Sequence, residues 1–151
     1  MFRTVQGKKV ILTDYIKEYL KTHENIEILI GCDSQNHRRV TSYAVVVVLY
    51  NSGHGGHVLY QKEDTPKEKV RSVRLMNEVW RSIETAQLLK DAGLPDPAYI
   101  DIDINPSEKF KSSEVFKSAV GLVEGMGYHC RYKTLGPSAV CCADAVVRDR
   151  L

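Results

Sequence analysis

The 151-residue sequence contains only four cysteines and one tryptophan, and its net charge is only +2. The cysteines lack the paired spacing of a zinc site. No apolar run approaches the ~20 residues of a membrane span, and the N-terminus has no apolar signal-peptide core. We therefore expect a cytoplasmic protein with reduced thiols, no zinc module and no membrane segment.

The near-neutral charge excludes a surface that is basic all over, but it leaves room for a local basic patch beside an acidic site. Internal repeats, low-complexity segments and linker-like stretches are all absent. The sequence thus predicts a single domain over residues 1–151, in which residues 1–25 form an N-terminal helical extension.

Hydrophobic periodicity indicates an alternating α/β chain. A short helix is predicted over about 11–22, with Thr13 as its cap. Three strands over 26–33, 40–50 and 57–61 form a predicted antiparallel meander. Next come a helix from Thr65-Pro66 to about Ala92, a strand over 98–104, a helix over 113–125, a strand over 128–134 and a last helix from Pro137 or Ser138. This order predicts a mixed five-stranded sheet with helices on both faces.

Carboxylates fall at unusual places in two of these strands. Asp33 ends the first predicted strand, and Asp101 and Asp103 share one face of the fourth. Two aspartates on one face of a buried strand carry a desolvation cost, which a bound metal ion would offset. The alternatives are that Asp33 is a turn former or helix cap and that Asp101 and Asp103 lie on an exposed face.

Two helices offer further carboxylates. Asp144 shares a predicted helical face with Val140 and Val147, although a salt bridge to Arg148 would also explain it. Glu78 and Glu84 lie about 240° apart around the long helix, so only one of them can face the acidic cluster. Met76, Val79, Trp80, Ile83 and Ala86 form the predicted apolar face of that helix.

Four short motifs are specific by their order and spacing: IGCDSQ at residues 30–35, IDIDIN at 100–105, GLVEGMG at 121–127, and Ala143-Asp144. Together they resemble a bacterial group of predicted ribonuclease H-like proteins. The resemblance implies a ribonuclease H-like fold in which the first and fourth predicted strands are parallel neighbours. It also implies an acidic set made of Asp33, Glu78, Asp103 and Asp144, with Asp101 as the alternative to Asp103 and Glu84 as the alternative to Glu78.

The resemblance implies a nuclease that uses two Mg²⁺ or Mn²⁺ ions to hydrolyse phosphodiester bonds, leaving a 5′-phosphate and a 3′-hydroxyl. Carboxylate oxygens suit these ions, and two ions about 3.5–4 Å apart can activate water and stabilise the leaving oxygen. Arg38, Lys111 and Ser112 are candidate substrate contacts, near the predicted site or at a helix start.

Other readings stay open at this point. The chain could be a catalytically weak module of the same fold that binds nucleic acid or a protein. It could also be a junction-resolving DNA enzyme, in which case a homodimer is expected. The sequence does not distinguish RNA, an RNA–DNA hybrid and branched DNA as the substrate.

Overall fold

A computed structural model describes residues 1–103, 111–132 and 138–148, except for the side chains of residues 111–113 and 141. It contains strands β1 (Phe2–Thr4), β2 (Lys9–Val10), β3 (Glu27–His37), β4 (Val40–Asn51), β5 (Gly55–Pro66), β6 (Tyr99–Ile102) and β7 (Cys130–Tyr132). Its helices are α1 (Leu12–Thr22), α2 (Arg71–Asp91), α3 (Lys111–Gly125) and α4 (Ala139–Val147).

All strands belong to one seven-stranded sheet in the order β2-β1-β5-β4-β3-β6-β7. The prediction of five strands was wrong because β1 and β2, only three and two residues long, are too short to show an alternating pattern. They extend the sheet by antiparallel pairing of β2 with β1 and of β1 with β5. Residues 2–10 are thus part of the sheet rather than of a purely helical extension.

The centre of the sheet follows the predicted topology. Strands β3, β4 and β5 form the antiparallel meander. Strand β6 then lies parallel to β3, with Gly31 opposite Asp101, and β7 lies parallel to β6. This parallel register brings Asp33, within β3, level with Asp103, which follows the end of β6.

Helices cover both faces of the sheet, as predicted. One apolar cluster joins α1, α2 and α3 to the face that carries Ile28, Ile30 and Cys32. A second cluster joins α4 to the opposite face, which carries Leu29 and Val46. The alternation of side chains along β3 separates these two cores.

Several predicted boundaries were wrong. Strand β3 runs through Asp33 to His37, because the polar residues 34–37 pair with β4 and do not form a turn. Thr65-Pro66 ends β5, and α2 begins only at Arg71. Thr13 does not cap α1, whose N-cap is Ile11.

The predicted apolar face of α2 is also incorrect in one place, since Trp80 is 43% exposed. Among the helices of the described ranges, none has the length and apolarity needed to cross a membrane.

Candidate active site

Asp33 lies on the face of β3 that α4 covers. Gly31, two residues earlier on the same face, brings the start of α4 unusually close: a Cβ at Gly31 would lie 2.8 Å from the backbone nitrogen of Val140 and 2.9 Å from the Cβ of Ala139. Glycine is therefore required here by space. This close approach lets Asp144, in the second turn of α4, form a hydrogen bond with the Asp33 carboxyl group.

Glu78 approaches the same end of β3 from the other face of the sheet. It lies in α2, is only 7% exposed, and accepts a hydrogen bond from the hydroxyl of Ser34. Ser34 also donates its backbone N–H to Asp33 Oδ1 at 2.8 Å. A single residue thus orients two carboxylates that come from different elements. The competing candidate Glu84, by contrast, is exposed to solvent.

Asp103 follows the last residue of β6. Because Gly31 lies opposite Asp101 in the parallel register, Asp103 comes level with Asp33 two residues further on. Its side chain is exposed, and its negative charge acts on both Asp33 and Glu78.

The electrostatics of the cluster follow from burial and crowding. Burial is the largest cause that raises the pKa of Asp33, which reaches about 7, although the Ser34 N–H opposes this; Asp103 and Asp144 add to the rise. Burial also raises the pKa of Glu78 well above its ordinary value, with the Ser34 hydroxyl opposing and Asp33 and Asp103 adding to it. A proton or another cation is therefore needed to hold these groups together near neutral pH.

Asp144 has a second partner in Arg148, one helical turn further on. The guanidinium Nε lies 2.6 Å from Asp144 Oδ1, and both side chains are partly exposed. The salt bridge considered from the sequence is therefore present, and it coexists with the contact between Asp144 and Asp33. Asp33 also raises the pKa of Arg148, after the larger effect of Asp144.

Asp101 is engaged elsewhere. Arg131 in β7 donates Nε to Oδ1 at 2.7 Å and Nη2 to Oδ2 at 3.0 Å, and the backbone N–H of Ala139 donates to Oδ2 at 2.8 Å. Asp101 is 3% exposed, and these three donors occupy both of its oxygens. This arrangement favours Asp103 over Asp101 as a metal ligand and gives Asp101 a structural role at the start of α4.

The donors at this edge suit a hard divalent cation, because they are carboxylate oxygens and two of them are buried with raised pKa values. Within the described ranges, however, no three His, Cys, Asp or Glu side chains are placed to hold a metal ion together. The described placement instead has Asp33 hydrogen-bonded to Asp144 and Ser34 bonded to Glu78. The carboxylate oxygens are thus of the type that a divalent cation prefers, although the described side-chain positions do not form a coordination site.

The candidate substrate contacts are only partly visible. Arg38 is exposed at the turn between β3 and β4, with a left-handed backbone (φ 42°) that a non-glycine residue seldom adopts. The side chains of Lys111 and Ser112, at the start of α3, lie outside the described residues. Ile104 and Asn105 lie outside them too.

Sequence reasoning missed two residues at the site. Side chains alternate along a strand, so Ser34 lies on the same face as Ile30 and Cys32, opposite to Asp33. A polar residue that continues an apolar face is the sequence feature that could have identified it. Arg74 lies four residues before Glu78 on α2, and its charge lowers the pKa of Glu78 against the larger effect of burial. The i, i+4 spacing could have identified it.

Comparison with known proteins adds one finding. The model of the family described as "Ribonuclease H-like" matches residues 11–148. The matched range contains every carboxylate of the acidic set and all of β3, β4, β5 and β6. No curated protein matches the chain.

Proposed function

The chain belongs to the ribonuclease H-like family, and from that premise we propose that it is a metal-dependent nuclease that hydrolyses phosphodiester bonds in RNA or DNA. The observation that carries the proposal is the convergence of Asp33, Glu78, Asp103 and Asp144. They come from β3, α2, the end of β6 and α4; the charges of Asp103 and Asp144 act on Asp33, and those of Asp33 and Asp103 act on Glu78. Carboxylates that repel one another in a partly buried position destabilise a fold, so a ligand that binds them is the natural explanation.

We assign roles from the position of each residue. Asp33 would be the central ligand, with Glu78 and Asp103 holding one of the expected divalent cations beside it and Asp144 the other. Mg²⁺ or Mn²⁺ bound there would supply an activated water and charge stabilisation for the leaving oxygen. The products would be a 5′-phosphate and a 3′-hydroxyl.

The remaining contacts act on those carboxylates. The Ser34 N–H and hydroxyl keep Asp33 and Glu78 in fixed orientations. Arg148 balances the charge of Asp144 in the absence of metal. Asp101 holds the first residue of α4, and so supports the position of Asp144, through the N–H of Ala139.

The alternative function is a catalytically weak ribonuclease H-like module that binds nucleic acid or a protein. A module without turnover would have no use for four neighbouring carboxylates, of which Asp33 and Glu78 are buried. The retention of Asp33, Glu78, Asp103 and Asp144 in one region therefore favours the enzyme.

Cleavage assays test the proposal directly. Labelled single-stranded RNA, duplex RNA, RNA–DNA hybrid and branched DNA are each incubated with Mg²⁺, Mn²⁺ or chelator. We expect metal-dependent cleavage that Asp33→Asn abolishes and that Asp14→Asn, at an exposed position on α1, leaves intact. If no substrate is cut, and calorimetry finds no metal binding that depends on Asp33, the nuclease is refuted and the binding module becomes the better account.

A further inference from the structure

Strands β3, β4 and β5 extend well past the level of the acidic cluster. Asp33 pairs with Ala44, whereas the strands continue to the pair His37–Val40 and to the pair Val40–Pro66. Arg38 and Arg39 form the turn at the end of this extension. At about 3.3 Å per strand residue, Arg38 lies about 16 Å beyond Asp33.

Hydrogen bonds tie the end of the extension to the segment that leads into α2. The N–H of Lys67 donates to the carbonyl of Arg39 at 3.1 Å, and Asn36 Nδ2 donates to the carbonyl of Glu68 at 3.2 Å. The N–H of Glu68 donates to Thr41 Oγ1 at 2.9 Å. The two segments therefore form one ordered surface.

The exposed carboxylates Glu63 and Asp64, on the part of β5 before this end, contact Arg81 and Ser42. The end of the surface, residues 37–39 and 67–74, is strongly basic, in contrast to the net charge of +2 for the chain. It carries six cationic side chains, which we call the basic tip: Arg38, Arg39, Lys67, Lys69, Arg71 and Arg74. The single carboxylate in residues 37–39 and 67–74 is Glu68, which accepts the N–H of Val70 at 3.0 Å. Fixing like charges together costs stability, which suggests a polyanionic ligand.

The basic tip reaches the acidic cluster along α2. Arg71 lies seven residues before Glu78, a distance of about 10 Å along the helix axis. Arg74 lies only one turn before Glu78, and the effect of its charge on that carboxylate shows their proximity. The cations thus lead from the end of the β-strand extension to the carboxylates.

The composition of the basic tip indicates which part of a nucleic acid it would contact. Residues 37–39 and 67–74 contain no Phe, Tyr or Trp on which unpaired bases could stack. Lysine and arginine alone bind phosphates without reading sequence. A stiff duplex can also span the distance between the acidic cluster and the turn without the ordering cost of a flexible strand.

Resting on the nuclease function proposed above, we infer that the basic tip binds the phosphate backbone of a duplex substrate at a point about five base pairs from the bond held at Asp33. The spacing follows from a rise of about 3.4 Å per base pair. The surface fixes the position of the duplex and leaves base sequence unread.

Binding measured under conditions that prevent cleavage tests the basic tip separately from the acidic cluster. In the presence of chelator, fluorescence anisotropy measures the affinity for RNA duplex, RNA–DNA hybrid, DNA duplex and single strands across a range of salt concentrations. The test variant replaces Arg38, Arg39 and Lys67 with Gln. The matched control replaces Lys8, Lys9 and Lys17 with Gln, which removes the same charge from exposed positions just before β2, in β2 and in α1.

We expect the test variant to bind duplexes about 10-fold or more weakly than wild type, and the slope of log K against log salt to fall by about three. The control should stay within about twofold of wild type. Matching thermal melts of the two variants establish that any difference is not caused by unfolding. Equal losses in the two variants, no duplex binding by wild type, or tighter binding of single strands than of duplexes would overturn the inference.

Cleavage of the same substrates with Mg²⁺ or Mn²⁺ separates the two proposals. Selective loss of duplex binding in the test variant, without cleavage by wild type, retains the basic tip and refutes the nuclease. Cleavage by wild type, with the test variant equal to the control in both binding and cutting, refutes the basic tip and retains the nuclease.

Discussion

Asp101 and Arg131 form a two-point ion pair across neighbouring parallel strands, with Nε–Oδ1 at 2.7 Å and Nη2–Oδ2 at 3.0 Å. The pair is shielded from water: the carboxylate is 2% exposed and the guanidinium 24%. The same carboxylate accepts the N–H of Ala139, so it links β6, β7 and α4. Asp101 thereby fixes the start of the helix that carries Asp144.

The first prediction concerns this pair. Asp101→Asn removes the charge that compensates Arg131, and we expect the free energy of unfolding to fall by about 2–4 kcal/mol in urea titrations. The exposed pair Glu18–Lys21 is the control, because solvent screens its charges and Glu18→Gln should leave the urea midpoint unchanged. Metal binding measured under folding conditions should survive Asp101→Asn. Loss of metal binding with unchanged stability would instead make Asp101 a ligand.

The second prediction concerns the contact between Gly31 and α4. In Gly31→Ala the new Cβ would meet the backbone of Ala139 and Val140 at under 3 Å, so α4 must shift away from the sheet. We expect a loss of about 1–3 kcal/mol in the free energy of unfolding and weaker metal binding, because Asp144 moves with α4.

The matched control for that variant is Gly121→Ala in α3, where a Cβ meets nothing within 4 Å. Alanine favours a helix over glycine by about 0.5–1 kcal/mol, so this variant should be slightly more stable than wild type. If the two alanine variants behaved alike, the close packing of α4 on β3 would be incorrect.

The third prediction is a pH dependence of the metal-free protein. Folding raises the pKa of Asp33 from an ordinary 3.8 to about 7, chiefly by burial, so the folded state binds more protons than the unfolded state between those values. Stability from this group is complete below pH 3.8 and falls as pH rises through 7. The total loss is about 2–4 kcal/mol.

Asp33→Asn should remove that dependence, so the metal-free variant should exceed wild type in stability at pH 8 and approach it at acidic pH. Thermal melts in chelator over a pH series measure both curves. Metal affinity of wild type should rise over the same interval, because cations compete with protons for these carboxylates. A wild-type profile in chelator that rises between pH 4 and 7 would contradict the assigned burial of Asp33.

The sequence predicted the elements in which apolar residues recur at a regular spacing. Apolar alternation identified the central strands, and the pairing of β3 with β6 followed from the family resemblance, which the parallel register confirms. The predicted strands 26–33 and 40–50 leave residues 34–37 between them, because polar residues such as Ser34 and Asn36 favour turns. Pairing with β4 overrides that local preference.

The acidic set illustrates a second limit. Glu78 and Glu84 have the same local character, and only packing determines that Glu78 is buried beside Ser34 while Glu84 faces solvent. Asp101 and Asp103 share one strand face, yet Arg131 and the start of α4, both distant in sequence, engage Asp101. Contacts between residues far apart in the chain separate these candidates, and no local pattern encodes them.

The fourth prediction compares the two glutamates of α2 directly. Glu78→Gln keeps the size of the side chain and an oxygen that can accept the Ser34 hydroxyl, but it removes a negative charge beside Asp33 and Asp103. We expect cleavage activity and metal affinity to fall by more than about 100-fold, while the metal-free protein becomes more stable at pH 8. Glu84→Gln, on the exposed side of the same helix, should leave cleavage activity, metal affinity and stability unchanged.

Isothermal titration with Mn²⁺ measures the metal affinity, and urea unfolding in chelator measures the stability of the metal-free protein. Loss of activity together with loss of stability in Glu78→Gln would mean that Glu78 serves the fold and not the metal site.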